Sequence, residues 1–156
     1  FDELARISPV PVLNIVKETV ELAKKNRVKR LGILATTGTV HSFAYQKTCE
    51  KMGLEFRVPR ERSQQMLMDI IYRSIKTAGT PDMDAFFGIA QELRGEGCDA
   101  IVLGCTELSL IPQVPSFEEY HFIDSLLVLA YKSIVECEKK PYGFPEIYTY
   151  IEKALV

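Results

Sequence analysis

The sequence predicts an α/β fold in which a mostly parallel sheet is flanked by helices, and three observations support this prediction. Short apolar runs alternate along the chain with longer segments whose apolar residues recur at helical spacing, which is typical of βαβ units. The runs at 30–35 and 100–103 are dominated by apolar side chains, as expected of strands buried on both faces. A length of 156 residues with 47% hydrophobic content suffices for one domain with a substantial core.

Each predicted element follows from local signals taken in chain order. Apolar residues at helical spacing in 1–8 indicate the tail of a helix, which Pro9 and Pro11 end. Gly53 and Gly97 follow two later helical segments and are typical C-cap residues. The predicted strands or extended segments are 10–15, 30–35, 54–58, 100–104 and 121–123. The predicted helices after the first are 16–26, 42–52, 63–76, 82–96, 124–138 and a tail helix within 139–156.

Composition and charge argue against several classes of function. The net charge is −2 with acidic and basic residues interspersed, so nothing indicates a nucleic-acid or membrane-surface partner. No apolar run is long enough to span a membrane, and no signal peptide is visible. The four cysteines form no CxxC pair, which favours reduced thiols in a cytoplasmic protein. Because the chain begins at Phe1 without an initiator methionine, we expect a fragment or an excised domain.

Two predicted strands end in hydroxyl-rich turns, at 36–39 and at 105–107. The carboxyl ends of parallel strands meet at one sheet edge, where ligands of open α/β sheets bind. Hydroxyls and backbone N–H groups gathered there suit a small carboxylate. Helix N-capping is the commoner role for one such turn alone, whereas two turns with a cysteine between strand and hydroxyl favour an anion site. No P-loop or GxGxxG motif occurs, and a single glycine in the first turn leaves less room for a pyrophosphate. The candidate residues are Thr36, Thr37, Thr39, Cys105, Thr106 and Glu107.

The Cys105 thiol has no obvious activating partner in the sequence. A serine-hydrolase elbow needs GxSxG and a cysteine-protease site needs a histidine, and only His41 and His121 exist. His41 could reach the edge of the site, although capping or solvent exposure is the more common role, and His121 is expected to be structural. No Cys/His spacing matches a metal-ligand set. Lys76 and Glu107 could each simply complement a helix dipole.

The sequence LATTGT at 34–39, paired with GCTE at 104–107, resembles the aspartate/glutamate racemase superfamily, and its aspartate racemase branch most. The segments 10–15 and 71–76 share in this resemblance, which covers roughly 1–138. Glutamate racemases typically carry CTH where this chain has CTE at 105–107. The resemblance implies an isomerase that needs neither pyridoxal phosphate nor any other cofactor or metal. In this chemistry two cysteines face each other across the substrate α-carbon, one removing a proton and the other delivering one.

The resemblance also implies individual roles. Cys105 matches the second of the two catalytic cysteines. Lys76 matches a position that contacts the side-chain carboxylate of aspartate. The residues that match substrate-binding positions or lie beside them are Thr36, Thr37, Thr39, Thr106 and Glu107.

The first half of the family pattern, including its CNT motif with the first cysteine, does not occur in this sequence. We therefore expect one lobe of a two-lobed enzyme, inactive alone, with a core at about 12–118 and a homodimer when full-length. The helix at 124–138 is expected to pack on the missing first lobe and so to be exposed or displaced here. Two alternatives stay open: a single-cysteine decarboxylase-type enzyme of the same superfamily, and a non-catalytic small-carboxylate binding module in which Cys105 is structural.

Overall fold

A computed structural model describes residues 1–111 and 119–144 and shows a four-stranded parallel sheet. The strand order is β2-β1-β3-β4, and all three pairings between neighbours are parallel. The predicted α/β class with a parallel sheet flanked by helices is confirmed. The strands are β1 at Arg30–Leu34, β2 at Glu55–Arg57, β3 at Ala100–Leu103 and β4 at Phe122–Asp124.

Seven α-helices lie wholly within the described residues, and several begin at the caps that the sequence offers. Asn14 and Asp124 each accept hydrogen bonds from two backbone N–H groups of the helix that follows, and Asp82 accepts one. The helices are α1 at Asp2–Ile7, α2 at Ile15–Lys25, α3 at Thr37–His41, α4 at Ala44–Met52, α5 at Glu61–Asp69, α6 at Met83–Gly95 and α7 at Ser125–Glu136. None of the described helices is long and apolar enough to cross a membrane.

The core forms two layers, one on each face of the sheet. On one face, α2, α4 and α7 pack on Ile33 and Val102. On the other, α5 and α6 pack on Leu34 and Ile101, which are adjacent to Ile33 and Val102 in the same two strands. Because successive strand side chains point to opposite faces, both strands are buried on both sides. This explains why their sequences are apolar without alternation.

The structure corrects three predicted elements. The helix predicted at 42–52 is divided, because α3 begins at Thr37 and Phe43 adopts a left-handed conformation (φ 58°) before α4. The helix predicted at 63–76 is α-helical only to Asp69 and continues as a π-helical turn at Ile70–Ser74 and a 3-10 turn at Ile75–Thr77. Segment 10–15 forms no strand.

The last described helix is not displaced. Sequence reasoning expected the helix at 124–138 to be exposed or displaced, yet α7 packs along α2 and buries Val128 and Tyr131 completely. Lys132 also lies 3.5 Å from Glu18 of α2, and both side chains are largely buried. α2 of the same lobe therefore supplies a packing surface for α7, and packing of α7 on a first lobe stays a prediction. Residues 139–144 are not helical, and the rest of the predicted tail helix lies outside the described residues.

Candidate active site at the carboxyl edge of the sheet

The register of the sheet brings the two hydroxyl-rich turns together. Leu34 of β1 is the direct partner of Leu103 of β3, and the Gly104 N–H donates to the Leu34 carbonyl at 2.7 Å. The turns that follow these two strands therefore start side by side, as their strand positions predicted. Leu103 is also paired with Asp124 at the end of β4. The carboxyl ends of three neighbouring strands thus define this edge.

Gly104, between β3 and Cys105, lies so close to its neighbours that a side chain would not fit there without displacing them. A Cβ atom at this position would lie 3.1 Å from the ring of Tyr45 and 3.3 Å from the Leu34 carbonyl oxygen. Tyr45 is almost completely buried, and burial raises the pKa of its phenol, an effect that the neighbouring Ser125 only partly opposes. Ser125 in turn donates to the Leu103 carbonyl at 2.7 Å. Sequence reasoning missed this support beneath the site, because nothing local to residues 45 or 125 indicates the contacts.

Four of the predicted site residues form one hydrogen-bonded cluster. The half-buried Cys105 thiol donates to Glu107 Oε2 at 2.7 Å, and the Thr106 hydroxyl donates to the same oxygen at 3.1 Å. Lys76 Nζ lies 3.3 Å from the other oxygen, Glu107 Oε1. The same ammonium lies 4.1 Å from the centroid of the Tyr72 ring. The carboxylate of Glu107 is therefore the centre on which thiol, hydroxyl and ammonium converge.

The cluster fixes the charge state of its members. Burial, followed by the adjoining Glu107 carboxylate, raises the pKa of Cys105 from 9.0 to about 11, and the nearby Lys76 ammonium only partly opposes this. The Cys105 thiol, followed by the other donors around Glu107, lowers the pKa of Glu107 from 4.5 to about 2. The hydrogen bond with Glu107 raises the pKa of Lys76. At neutral pH the site accordingly holds a protonated thiol, a carboxylate and an ammonium.

The turn at 36–39 lies beside this cluster and has its own hydrogen bonds. Thr36 caps α3 by accepting from the Thr39 N–H at 3.3 Å, and the two hydroxyl oxygens lie 3.0 Å apart. Capping, the alternative that the sequence left open, is therefore real for Thr36. Thr37 is different, because its side chain contacts Gln64 of α5 and its N–H points at Met68. Neither Gln64 nor Met68 was a predicted site residue, and their distance along the chain gives no local signal.

Among the described residues, the other candidate nucleophiles and bases make no hydrogen bond or ion pair with this cluster. His41 is exposed at the end of α3, and the His121 ring lies 3.2 Å from the Asp99 carbonyl at the opposite edge of the sheet. Cys49 and Cys98 are buried. Within residues 1–111 and 119–144, no group of three or more His, Cys, Asp or Glu side chains could hold a metal ion. In that same part of the chain, Cys105 is the one cysteine at the carboxyl edge of the sheet.

Comparison with known proteins assigns the chain to a family. Residues 1–131 match the family model described as Asp/Glu/Hydantoin racemase. An uncharacterized protein from Pectobacterium carotovorum is 28% identical over 137 residues, which cover 86% of this chain and 90% of that protein. A glutamate racemase from Shewanella loihica is 29% identical over 138 residues, which cover 86% of this chain but 51% of that enzyme.

Solved structures show the same fold. An aspartate racemase homologue from Pyrococcus horikoshii superposes with a TM-score of 0.80 at 27% identity, covering 89% of this chain and 62% of that one. The aspartate racemase of Picrophilus torridus superposes with a TM-score of 0.74 at 24% identity, covering 92% and 58%. The chain thus spans between about half and three fifths of the length of these racemases. By its sequence match over residues 1–131, the chain belongs to the Asp/Glu/hydantoin racemase family.

Proposed function

We propose that this chain carries one acid/base group of a cofactor-independent racemase that acts on aspartate or a similar small amino acid. The observation that carries the proposal is the Cys105 thiol, held at the carboxyl edge of the sheet by Glu107 with Lys76 beside it. Membership of the racemase family supports an isomerase. Similarity to both glutamate and aspartate racemases favours an acidic amino acid as substrate.

Racemisation at an α-carbon needs an acid and a base on opposite faces of a planar intermediate. One group takes the α-hydrogen as a proton, which breaks the C–H bond and leaves a carbanion. The other donates its proton to the opposite face and forms the new C–H bond. Because Cys105 is protonated at neutral pH, it begins as the proton donor in one direction. It then acts as the thiolate base when the reaction runs in reverse.

The partner acid/base is expected on a complementary lobe. No second cysteine lies at this sheet edge in the described residues, and the chain spans about half of the Shewanella enzyme. Alone, the chain should therefore not racemise. A homodimer and a cytoplasmic location stay predictions of the same proposal.

Substrate binding is assigned to the two turns and to Lys76. The Lys76 ammonium is partly exposed and is paired with Glu107, so the side-chain carboxylate of aspartate can join the pair or replace Glu107 in it. We assign the α-carboxylate to the hydroxyls of Thr37 and Thr106, with Thr36 and Thr39 shaping the first turn. Glu107 holds both Lys76 and the thiol in position.

The test uses the protein encoded by the full reading frame that contains this chain. L-Aspartate, L-glutamate and L-alanine are each incubated with it in deuterated water, and α-deuterium and enantiomer ratio are followed. A racemase incorporates deuterium and forms both enantiomers, whereas retention of the L-form without deuterium would contradict the proposal. Lys76→Ala should lower activity on aspartate more than on alanine. Lys47→Ala, an exposed lysine of α4, serves as the control, and equal losses on both substrates would remove the assigned role of Lys76.

One observation favours a second candidate, a single-cysteine enzyme. Cys105 stands alone at its sheet edge in the described residues and is protonated, which suits protonation of a planar intermediate from one face only. Decarboxylation of a disubstituted malonate generates such an intermediate and would give one enantiomer in excess. A non-catalytic module would instead bind aspartate without exchanging its α-hydrogen. The same isotope experiment, repeated with a prochiral malonate, separates the three functions.

A further inference from the structure

One face of α5 holds the turn at 36–39 in place. Gln64 Nε2 donates to the Ala35 carbonyl at 2.9 Å and lies 3.4 Å from the Thr37 hydroxyl oxygen. Met68, one helical turn further along α5, accepts from the Thr37 N–H at 3.3 Å. Three contacts from two side chains therefore fix the backbone and the hydroxyl of Thr37.

These contacts leave the Thr37 hydroxyl with a hydrogen to donate. A threonine hydroxyl has one hydrogen to donate and two lone pairs to accept with. The Thr36 and Thr39 oxygens lie 3.0 Å apart, so one of these two hydroxyls donates its hydrogen to the other. Thr37 Oγ1 accepts from Gln64, and no residue in the described part of the chain accepts its hydrogen. The Thr37 N–H is paired only with a thioether sulfur, which is a weak acceptor that a carboxylate oxygen can replace.

Gln64 maintains this arrangement with one of its own atoms unpaired. Its Oε1 is buried and has no hydrogen-bond partner. Turning the amide over would place Oε1 against the Ala35 carbonyl oxygen, so the Nε2 donor has to face Ala35. A buried acceptor without a partner costs stability. The side chain therefore satisfies the Ala35 carbonyl but leaves its own oxygen unpaired, so net stabilisation explains it less well than its effect on the turn.

We propose that Gln64 is a positioning residue, which holds Thr37 so that its hydroxyl and N–H donate to the carboxylate of the bound substrate. The inference rests on the proposed function, because the carboxylate is that of the amino-acid substrate. Gln64 itself does not touch the substrate and acts through Thr37.

The first test compares Gln64→Leu with Gln65→Leu in the full-length protein. Gln65 is the exposed neighbour on the same helix and serves as the matched control. We expect Gln64→Leu to raise KM for aspartate about tenfold, the effect of one well-placed hydrogen bond. Its Tm should stay within about 2 °C of wild type, because the substitution removes one unpaired acceptor, Gln64 Oε1, and leaves another, the Ala35 carbonyl oxygen. A lowered Tm with an unchanged KM would show a merely structural role and overturn the proposal.

A second variant keeps the proposal testable if Gln64→Leu fails to fold. In Gln64→Glu the ionised carboxylate has no donor for the Ala35 carbonyl, whereas the protonated acid has one. The KM of Gln64→Glu, divided by that of wild type at the same pH, should therefore fall towards one as the pH is lowered. A ratio that does not change with pH would overturn the donor role.

Binding of succinate, measured by isothermal titration calorimetry, separates this proposal from the racemase proposal. Succinate presents two carboxylates but no amino group. If succinate binds in a Gln64-dependent way but the α-hydrogen of aspartate does not exchange, the racemase proposal is refuted and the role of Gln64 stands. Exchange that is unaffected by Gln64→Leu would refute the role of Gln64 and leave the racemase standing. A protein that neither binds succinate nor exchanges the α-hydrogen would overturn both.

Discussion

Replacing Glu107 by glutamine should lower the pKa of the Cys105 thiol. Glutamine keeps the size of the side chain and removes its charge, so the carboxylate no longer favours the protonated thiol. The pKa of Cys105 stands at about 11 against a usual 9.0, and burial is the larger of the two causes. Glu107 therefore accounts for the smaller part of the elevation, and we expect the pKa to fall by at most about one pH unit while staying above 9. In this variant Lys76 also loses its ion pair with Glu107, so its ammonium is freer to stabilise the thiolate and lower the pKa of Cys105.

The alkylation rate of Cys105 with iodoacetamide, followed across pH, measures this change. Only the thiolate reacts, so the midpoint of the rate profile reports the pKa of the thiol. Both proteins should carry Cys137→Ser, because Cys137 is exposed and would react as well. Glu61→Gln, an exposed glutamate of α5, controls for the loss of one negative charge. A midpoint for Glu107→Gln at or above that of wild type would refute the assignment of Glu107 as a group that keeps the thiol protonated.

Three further outcomes follow from the same geometry. Gly104→Ala should lower the free energy of unfolding in urea by about 1–3 kcal/mol, because its Cβ would meet the Tyr45 ring at 3.1 Å. The control Gly88→Ala, in open space on α6, should instead raise it by about 0.5–1 kcal/mol. Since the pKa of Glu107 is lowered from 4.5 to about 2, its stabilising contribution is present above pH 4.5 and is lost as the pH falls towards 2, so Glu107→Gln should show a shallower acid decline of the unfolding free energy. Asn14→Ala removes the cap of α2 and should cost about 1 kcal/mol in the same assay, whereas an unchanged free energy would show that water replaces the cap.

The sheet edge could be predicted because parallel strands leave little freedom. Once 30–35 and 100–104 are taken as neighbouring parallel strands, the turns at 36–39 and 105–107 must emerge at the same edge, and the structure pairs Leu34 with Leu103. The cluster around Glu107 could be predicted in part, because Cys105, Thr106 and Glu107 are consecutive in the sequence. Lys76 is the exception. Nothing in its local sequence separates it from a lysine at a helix end, and only the family resemblance selected it.

Contacts between distant segments account for what sequence reasoning missed. Gln64 and Ala35 are 29 positions apart in the sequence, and Tyr45 of α4 contacts Gly104 from a distant segment. Neither contact therefore leaves a periodic or local signal in the sequence. The break at Phe43 was missed because a left-handed conformation is rarely adopted by a bulky aromatic residue. The packing of α7 on α2 was not foreseen because α2 lies about 100 positions earlier in the chain.

The catalytic role of Cys105 is tested most directly by Cys105→Ser in the full-length protein. The measurement is the rate at which the α-hydrogen of aspartate exchanges with deuterated water, with Cys137→Ser as the matched control. Serine keeps the shape of the side chain but removes a group that can donate and accept a proton near neutral pH. We predict that exchange falls at least about 100-fold in Cys105→Ser and is unchanged in Cys137→Ser. Exchange at the wild-type rate in Cys105→Ser would contradict the account.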